Sequence, residues 1–288
     1  MTRILPRTLP KVRDQVVRHL TDPAGSLPVT MDRHWGPDSA RQAADHLDHA
    51  ALYWATGDMT ALAMSAGTSL TETRWATADR PSACGLIVWD GGIGSIDYRG
   101  APVPISATTW GPLPGGCGIV LWIPRTHIAA PDQPVREAIA PLIPCLRFVL
   151  PVTADPIPPE GLPSAELAAI THALAASWLL MQQPKLVGRV TQRPDKAVRR
   201  SYGRAGRESP EVTVIDLRHL YVPDSADAGE GQEGGRLYKH RWVVSGHWRD
   251  QPYGPNRQLR RRQWIPSYTK GPDGAPLLVT EKVNVWRR

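Results

Sequence analysis

The residues best suited to chemistry lie in the segment Tyr238–Gln251, which reads YKHRWVVSGHWRDQ. Side chains of a β-strand alternate in direction, so this pattern predicts one strand face that carries cations and a histidine. A flat cationic face can contact phosphates, and neighbouring aromatic and arginine side chains can extend that contact. The predicted nucleic-acid surface comprises Lys239, Arg241, His247, Arg249, Tyr253, Arg260, Arg261 and Arg262. An exposed polar face of a half-buried sheet remains the alternative, because charge alone identifies binders poorly.

His247 supports a second hypothesis, a metal-independent nuclease or RNase-type toxin. A histidine can transfer a proton near neutral pH, and Arg241 and Arg249 on either side can stabilise developing phosphate charge. Ser245 is predicted on the same strand face, but no GxSxG turn surrounds it, so acyl transfer has little support. The sequence leaves open whether the protein is an enzyme.

A metal site is conceivable at Asp45, His46, Asp48 and His49, since residues three apart on a helix share a face. There is no third strong ligand nearby and no HExxH spacing, which favours a polar helix face with local charge interactions. The glycines of the segment 90–100, DGGIGSIDYRG, match neither the GxGxxG nor the GxxxxGK pattern. We therefore expect a turn there, and neither a metal nor a cofactor in the protein.

Charge divides the chain into two parts. Residues 1–184 contain 13 Lys+Arg and 16 Asp+Glu, whereas residues 185–288 contain 21 and 11. A concentrated positive field favours polyanions, so we expect the last third to bind DNA or RNA. Arginine outnumbers lysine 28 to 6, which a GC-rich coding bias alone can produce, so a solvated basic surface is the alternative.

Length and composition limit the class of protein. A chain of 288 residues with 41% hydrophobic content can bury a substantial core. The three cysteines, Cys84, Cys117 and Cys145, form no close pair, which argues against a disulfide scaffold and a cysteine-rich zinc site. The segment Met1–Asp14 lacks the apolar stretch of a signal peptide, and the best apolar run, Leu167–Met181, is short. We expect a soluble cytoplasmic protein with no membrane partner.

The predicted fold class is α+β, with four regions in chain order. These are a flexible arm at 1–36, an α+β domain at 37–184, a basic linker at 185–210 and a basic antiparallel β module at 211–288. The arm has four prolines around one helical patch, Val12–Leu20, and is expected to add little core. The linker carries eight Lys+Arg and three glycines without a sustained apolar period.

The predicted α+β domain begins with a helical hairpin, followed by a small, mostly antiparallel sheet and a closing helix. The first helix runs from Asp38 or Ser39 to about Thr56, and the second, capped by Asp58, covers Met59–Ala66. The closing helix follows a cap at Ser164 and stops before Pro184. The predicted strands are Gly85–Trp89, Val103–Trp110, Ile119–Ile123 and Leu146–Val152.

The predicted β module contains four strands and one acidic loop. β-Branched and aromatic residues alternate in the strands, and the loop Pro223–Gly235 has four acids, no base and many glycines. We expect that loop to be disordered. The predicted strands are Val212–Leu220, Tyr238–Arg249, Gln263–Lys270 and Leu277–Trp286.

Three segments resemble parts of an uncharacterised group of actinobacterial and phage-related proteins. GHWRDQ at Gly246–Gln251 and WIPSYTKGPDGAP at Trp264–Pro276 resemble its C-terminal module, and LYWATGDMTALAMSAG at Leu52–Gly67 resembles its N-terminal part. The resemblance implies an actinobacterial or mobile-element context and transfers no activity or site. In the nucleic-acid-binding hypothesis, the N-terminal domain serves assembly as a homo-oligomer or recognition of a protein partner. A third hypothesis is a structural or phage-associated interaction protein without catalysis.

Overall fold

A computed structural model of the chain describes residues 4–22, 35–70, 75–98, 101–127, 139–151, 165–217, 241–270 and 277–278. The chain divides into two compact units, one that ends at Arg218 and one that begins at His219. Helices and a large mixed sheet occur in the first unit, and small sheets occur in the second. The protein is therefore α+β, as the sequence predicts.

The first unit is built around a seven-stranded sheet with the strand order β7-β6-β5-β2-β1-β9-β8, while β3 and β4 pair separately. Within the large sheet, β1 runs parallel to both β2 and β9, and the other neighbours are antiparallel. The described helices are α1 (Leu9–Thr21), α2 (Pro37–Asp48), α3 (Gly57–Thr68), α4 (Ala165–Met181) and α5 (Lys196–Arg204). The described strands are β1 (Ala51–Ala55), β2 (Gly85–Trp89), β3 (Ser95–Tyr98), β4 (Ala101–Pro104), β5 (Ala107–Leu113), β6 (Gly116–Pro124), β7 (Leu142–Pro151), β8 (Val187–Gln192) and β9 (Val212–Leu217).

The second unit contains two small sheets among its described residues. A three-stranded sheet has the order β13-β10-β14, and a two-stranded antiparallel hairpin pairs β11 with β12. The predicted strand over 238–249 is therefore divided between β10 and β11, which belong to different sheets. The predicted strand over 263–270 is divided in the same way between β12 and β13. The strands are β10 (Arg241–Val244), β11 (His247–Tyr253), β12 (Leu259–Ile265), β13 (Tyr268–Lys270) and β14 (Leu277–Leu278).

The N-terminal segment contributes to the core, which corrects the expectation of an arm with little core. Leu9, Val16 and Leu20 of α1 are buried in one cluster with Trp54 of β1. The indole Nε1–H of Trp54 also donates a hydrogen bond to the carbonyl of Ile4 at 3.2 Å. Pro6 and Pro10 lie before and in the first turn of α1, where the missing N–H costs nothing, so they do not prevent the helix.

The predicted helical hairpin is wrong in its first half, because β1 separates α2 from α3. Residues Ala51–Ala55 are apolar and aromatic, and they form backbone hydrogen bonds with strands on both sides of the sheet. The helix predicted over 59–66 is confirmed by α3. Its cap is Thr56, whose hydroxyl accepts from the N–H of Met59 at 3.3 Å, and not Asp58.

The structure also differs from the predicted linker and from the predicted extent of the β module. Residues 185–210 contain β8 and α5, and β8 pairs with β9 along its whole length. The strand predicted at Val212–Leu220 is β9, which joins the sheet of the first unit. The predicted acidic loop Pro223–Gly235 lies outside the described residues.

The strands predicted at Gly85–Trp89, Ile119–Ile123 and Leu146–Val152 are confirmed by β2, β6 and β7, and the closing helix is confirmed by α4. The strand predicted at Val103–Trp110 is instead two strands in different sheets, because β4 ends at Pro104 and β5 begins at Ala107. From Ile170 to Met181 every residue of α4 is buried. Gly67 of α3 packs directly against it, since a Cβ at Gly67 would lie 2.8 Å from the backbone nitrogen of Ala173. Among the described residues, no helix is long and apolar enough to span a membrane.

We expect Gly67→Ala to destabilise the first unit by about 1–3 kcal/mol, the usual cost of forcing extra atoms into a packed interior. Gly203 near the end of α5 is the matched control, because a Cβ there would meet no atom within 4 Å. Gly203→Ala should be neutral or stabilise by up to about 1 kcal/mol through helix propensity. Urea unfolding measures both, and equal midpoints for Gly67→Ala and the wild type would contradict the close packing of α3 on α4.

Stability should fall as the pH drops below about 6.5, because burial lowers the pKa of His46 and of His172. The unfolded chain then binds protons that the folded chain does not, so each histidine reduces stability by at most about 1.4 kcal/mol per pH unit. Urea midpoints measured between pH 5 and pH 8 test this, with His127→Asn as a control. His127 is exposed, so that variant should retain the pH dependence, whereas His172→Gln should reduce it.

Candidate functional site

The hairpin of β11 and β12 presents two faces of different composition. The register places Arg249 opposite Gln263 and Gln251 opposite Arg261. Residues directly opposite each other share a face, and successive residues alternate between faces. The front face therefore carries the odd-numbered residues His247, Arg249, Gln251, Tyr253, Leu259, Arg261, Gln263 and Ile265. The rear face carries the even-numbered residues Trp248, Asp250, Pro252, Arg260, Arg262 and Trp264.

Aromatic packing holds the rear face together at the end of the hairpin opposite the turn. The rings of Trp248 and Trp264 meet edge to face with centroids 5.3 Å apart, and Trp264 is buried. Gly246 leaves room for this arrangement, since a Cβ at that position would lie 2.5 Å from Cζ2 of Trp264. This packing orients β11 so that its odd-numbered side chains face the other way.

The turn of the hairpin uses three residues with positive φ. Gly254 has φ 77°, and Asn256 and Arg257 have φ 51° and 55°. Arginine seldom adopts this left-handed conformation, which costs about 1–2 kcal/mol for a residue with a side chain. The guanidinium of Arg260 donates a hydrogen bond from Nη1 to the Arg257 carbonyl at 2.8 Å. Arg260 therefore stabilises the turn.

The front face combines cations with exposed apolar surface. His247, Arg249 and Arg261 are exposed, and Tyr253 and Leu259 retain 43% and 50% of their accessible surface. The guanidinium of Arg261 lies over the Tyr253 ring, 5.8 Å from its centroid. This cation–π contact restricts the Arg261 side chain while leaving its charge at the surface. The hairpin's acidic residue, Asp250, belongs to the rear face.

His247 has a defined hydrogen bond at the beginning of β11. Its Nδ1 lies 3.1 Å from the carbonyl oxygen of Ser245. A carbonyl can only accept, so Nδ1 carries the proton in this contact and Nε2 has the free lone pair in the neutral ring. The exposed Nε2 can therefore accept a proton from a bound molecule.

The structure brings together only some of the residues that the sequence analysis grouped. His247, Arg249, Tyr253 and Arg261 share the front face, whereas Arg260 and Arg262 are on the rear. The remaining two predicted contacts are Arg241, which begins β10 in the three-stranded sheet, and Lys239, which lies outside the described residues.

Gln251 and Gln263 are front-face residues that the sequence analysis did not identify. Both are half-buried, and the side-chain Oε1 of Gln251 is buried without a hydrogen-bond partner among the described residues. The segment GPNRQ at 254–258 is the turn signal that could have revealed them. Pairing residues symmetrically about that turn gives the observed register.

The metal-site candidates in α2 make local interactions instead. His46 is buried, with Nε2 3.0 Å from the carbonyl of Pro112. His49 contacts the backbone carbonyl of Asp45 through Nδ1 at 2.9 Å, and Asp48 pairs with Arg207 at 3.3 Å. Among the described residues, no group of three or more His, Cys, Asp or Glu side chains is arranged to hold a metal ion.

The first unit also contains a surface cavity of about 220 Å³ near the C-terminal end of α1. Arg18 and Arg125 provide donors on its wall, and Asp22 on the same wall offsets part of their charge. The hairpin segment 247–265, with five arginines and one aspartate, has the larger excess of positive charge. The cavity is lined by Gln15, Arg18, His19, Asp22, Arg125, Ile139, Ala140 and Pro141.

Comparison with known proteins identifies no family. No family model matches the chain, and no curated protein matches it. A solved structure titled "Crystal structure of AcrVA2" is similar at 13% sequence identity, over 76% of this chain and 71% of that chain, with a TM-score of 0.33. A likeness of this size carries no argument about function, so the candidate site depends on its own geometry.

Proposed function

We propose that this protein binds nucleic acid through the front face of the β11–β12 hairpin. The observation that carries the proposal is that Arg249 and Arg261 share one exposed strand face with Tyr253, and none of the eight positions of that face is acidic. Guanidinium groups form strong, geometrically specific hydrogen bonds with phosphate oxygens. A face of this kind favours a polyanion over a neutral partner.

The charge of the second unit supports the same proposal. Residues 219–288 contain 12 Lys+Arg and 7 Asp+Glu, whereas residues 1–218 contain 22 and 20. Binding to phosphates releases condensed counterions, so a basic unit gains affinity that depends on salt. The cation–π contact between Arg261 and Tyr253 reduces the conformational freedom that Arg261 would lose on binding.

The compartment in which this binding takes place is part of the proposal. Cys84, Cys117 and Cys145 are free thiols, and the last two are buried. Free thiols fit the reducing cytoplasm, where nucleic acid is accessible.

Arg261→Gln should weaken nucleic-acid binding more than Arg262→Gln does. Both variants remove one charge from neighbouring positions of β12, but only Arg261 lies on the front face. Loss of one cation from the bound face should reduce the magnitude of the log–log salt slope by about 1 and the affinity by up to about tenfold near 0.1 M salt. The measurement is a salt titration of the full-length chain with labelled DNA and RNA, both single-stranded and duplex.

The full-length chain is required because β9 belongs to the sheet of the first unit, so cutting the chain near residue 185 would remove part of that sheet. Equal losses for Arg261→Gln and Arg262→Gln would mean that the face has no role and only net charge matters. If the wild type binds none of the four probes, the proposed function is wrong.

A second candidate function, cleavage of phosphodiesters without a metal, is favoured by the hydrogen bond of His247. Because Nδ1 donates to Ser245, the neutral imidazole offers Nε2 as a proton acceptor on the same face as Arg249. In this function Arg249 stabilises the charge that develops on the phosphate.

Under this second function, the chain cleaves RNA or DNA in the presence of a metal chelator, and His247→Asn abolishes cleavage. The same variant should leave the affinity within about twofold, because asparagine keeps the polar surface and Arg249 keeps the charge. Gel analysis of chelator-treated reactions with a His247→Asn control measures this. Absence of cleavage by the wild type on single-stranded and duplex substrates would eliminate the candidate.

A further inference from the structure

The centre of the front face is a quartet of two arginines and two glutamines. Arg249 lies directly opposite Gln263, and Gln251 lies directly opposite Arg261, so each cross-strand pair joins one arginine and one glutamine. The two kinds of side chain therefore alternate both along the hairpin and across it. Paired residues are about 4.5–5.5 Å apart between Cα atoms, and the two pairs are separated by about 6.8 Å along the strands.

We infer from this quartet that the ligand is B-form duplex DNA, read at its base edges in the major groove; the inference rests on the proposed function. A major groove about 12 Å wide admits a two-stranded antiparallel ribbon. Arginine can bond the O6 and N7 atoms of guanine together, and glutamine can bond N6 and N7 of adenine together. Both pairs of atoms are exposed in that groove.

The glutamines distinguish base reading from simple attraction to phosphate. A neutral amide adds nothing to counterion release, yet Gln251 and Gln263 occupy the two central positions beside the arginines. The Oε1 of Gln251 is a second observation: it is buried and has no hydrogen-bond partner in the part of the chain that the structure describes, and an acceptor shielded from water without a donor is costly. The N6 amino group of adenine is such a donor once the Gln251 side chain turns toward the groove.

The geometry favours duplex DNA over the two other forms of nucleic acid. The major groove of A-form RNA is too narrow and deep for side chains to reach the bases. Single-strand binding relies on several aromatic rings on which successive bases stack, and among Phe, Tyr and Trp the front face has Tyr253 alone, with Arg261 already over its ring. Preferential binding to single strands is therefore the competing outcome of the experiment.

The test is selection from randomised duplex DNA with the full-length chain, followed by titration of the selected duplex. We expect enriched G and A positions, with about a fivefold to a hundredfold preference at each contacted base pair. Gln263→Ala should relax the preference at one position while the salt slope stays unchanged, because no charge is removed. Gln263→Thr, which suits a strand, should relax it in the same way. The rear-face variant Arg262→Gln should leave base preference unchanged.

The outcomes separate this inference from the proposed function. Salt-dependent binding to duplex DNA without any base preference would overturn the inference and leave nucleic-acid binding intact. Tighter binding to single strands than to the selected duplex would also overturn the inference and leave nucleic-acid binding intact. Failure to bind any nucleic acid would overturn both.

Discussion

The first unit depends on the placement of β1 between two parallel partners. Parallel strands need cover on both faces, because their connections and hydrophobic side chains are buried. Leu52 and Trp54 of β1 face the cluster formed with α1 and α2, while Tyr53 stacks on Trp110, which in turn contacts Trp178 of α4. The first unit therefore needs two distant segments around β1. The N-terminal helix α1 packs against its side chains, and β9, from residues beyond 210, pairs with its backbone.

This long-range requirement explains which parts of the fold the sequence predicts. The strands β2, β5, β6 and β7 form sequential antiparallel neighbours in which glycine and proline punctuate apolar runs, and their positions follow from local pattern. The segment 1–36 has four prolines around one short helical patch, and the segment 185–210 has eight Lys+Arg without a sustained apolar period, so local pattern favoured an arm and a linker. Val12 and Val187 are nevertheless buried, because the core that covers them comes from distant parts of the chain.

The residue types of the candidate site could be predicted from the sequence, but which of these residues share one strand face could not. A period of two along one strand correctly places His247 and Arg249 together, but it cannot show that β10 and β11 belong to different sheets. The arginine run 260–262 looks like one cationic cluster in the sequence. Because β12 is a strand, Arg261 lies on one face and its two neighbours lie on the other. The sequence alone does not show this division, since it does not show that residues 259–265 form a strand.

The composition of the front face therefore depends on the register of one hairpin. A slip by a single residue would exchange the two faces and turn Trp264 and Arg260 outward in place of Arg261. Two contacts oppose such a slip, one at each end of the hairpin. The close approach of Gly246 to Trp264 fixes the end opposite the turn, and the hydrogen bond from Arg260 to the Arg257 carbonyl supports the strained turn. Arg260 thus serves the site from the rear face, by keeping Arg249 and Arg261 on the front.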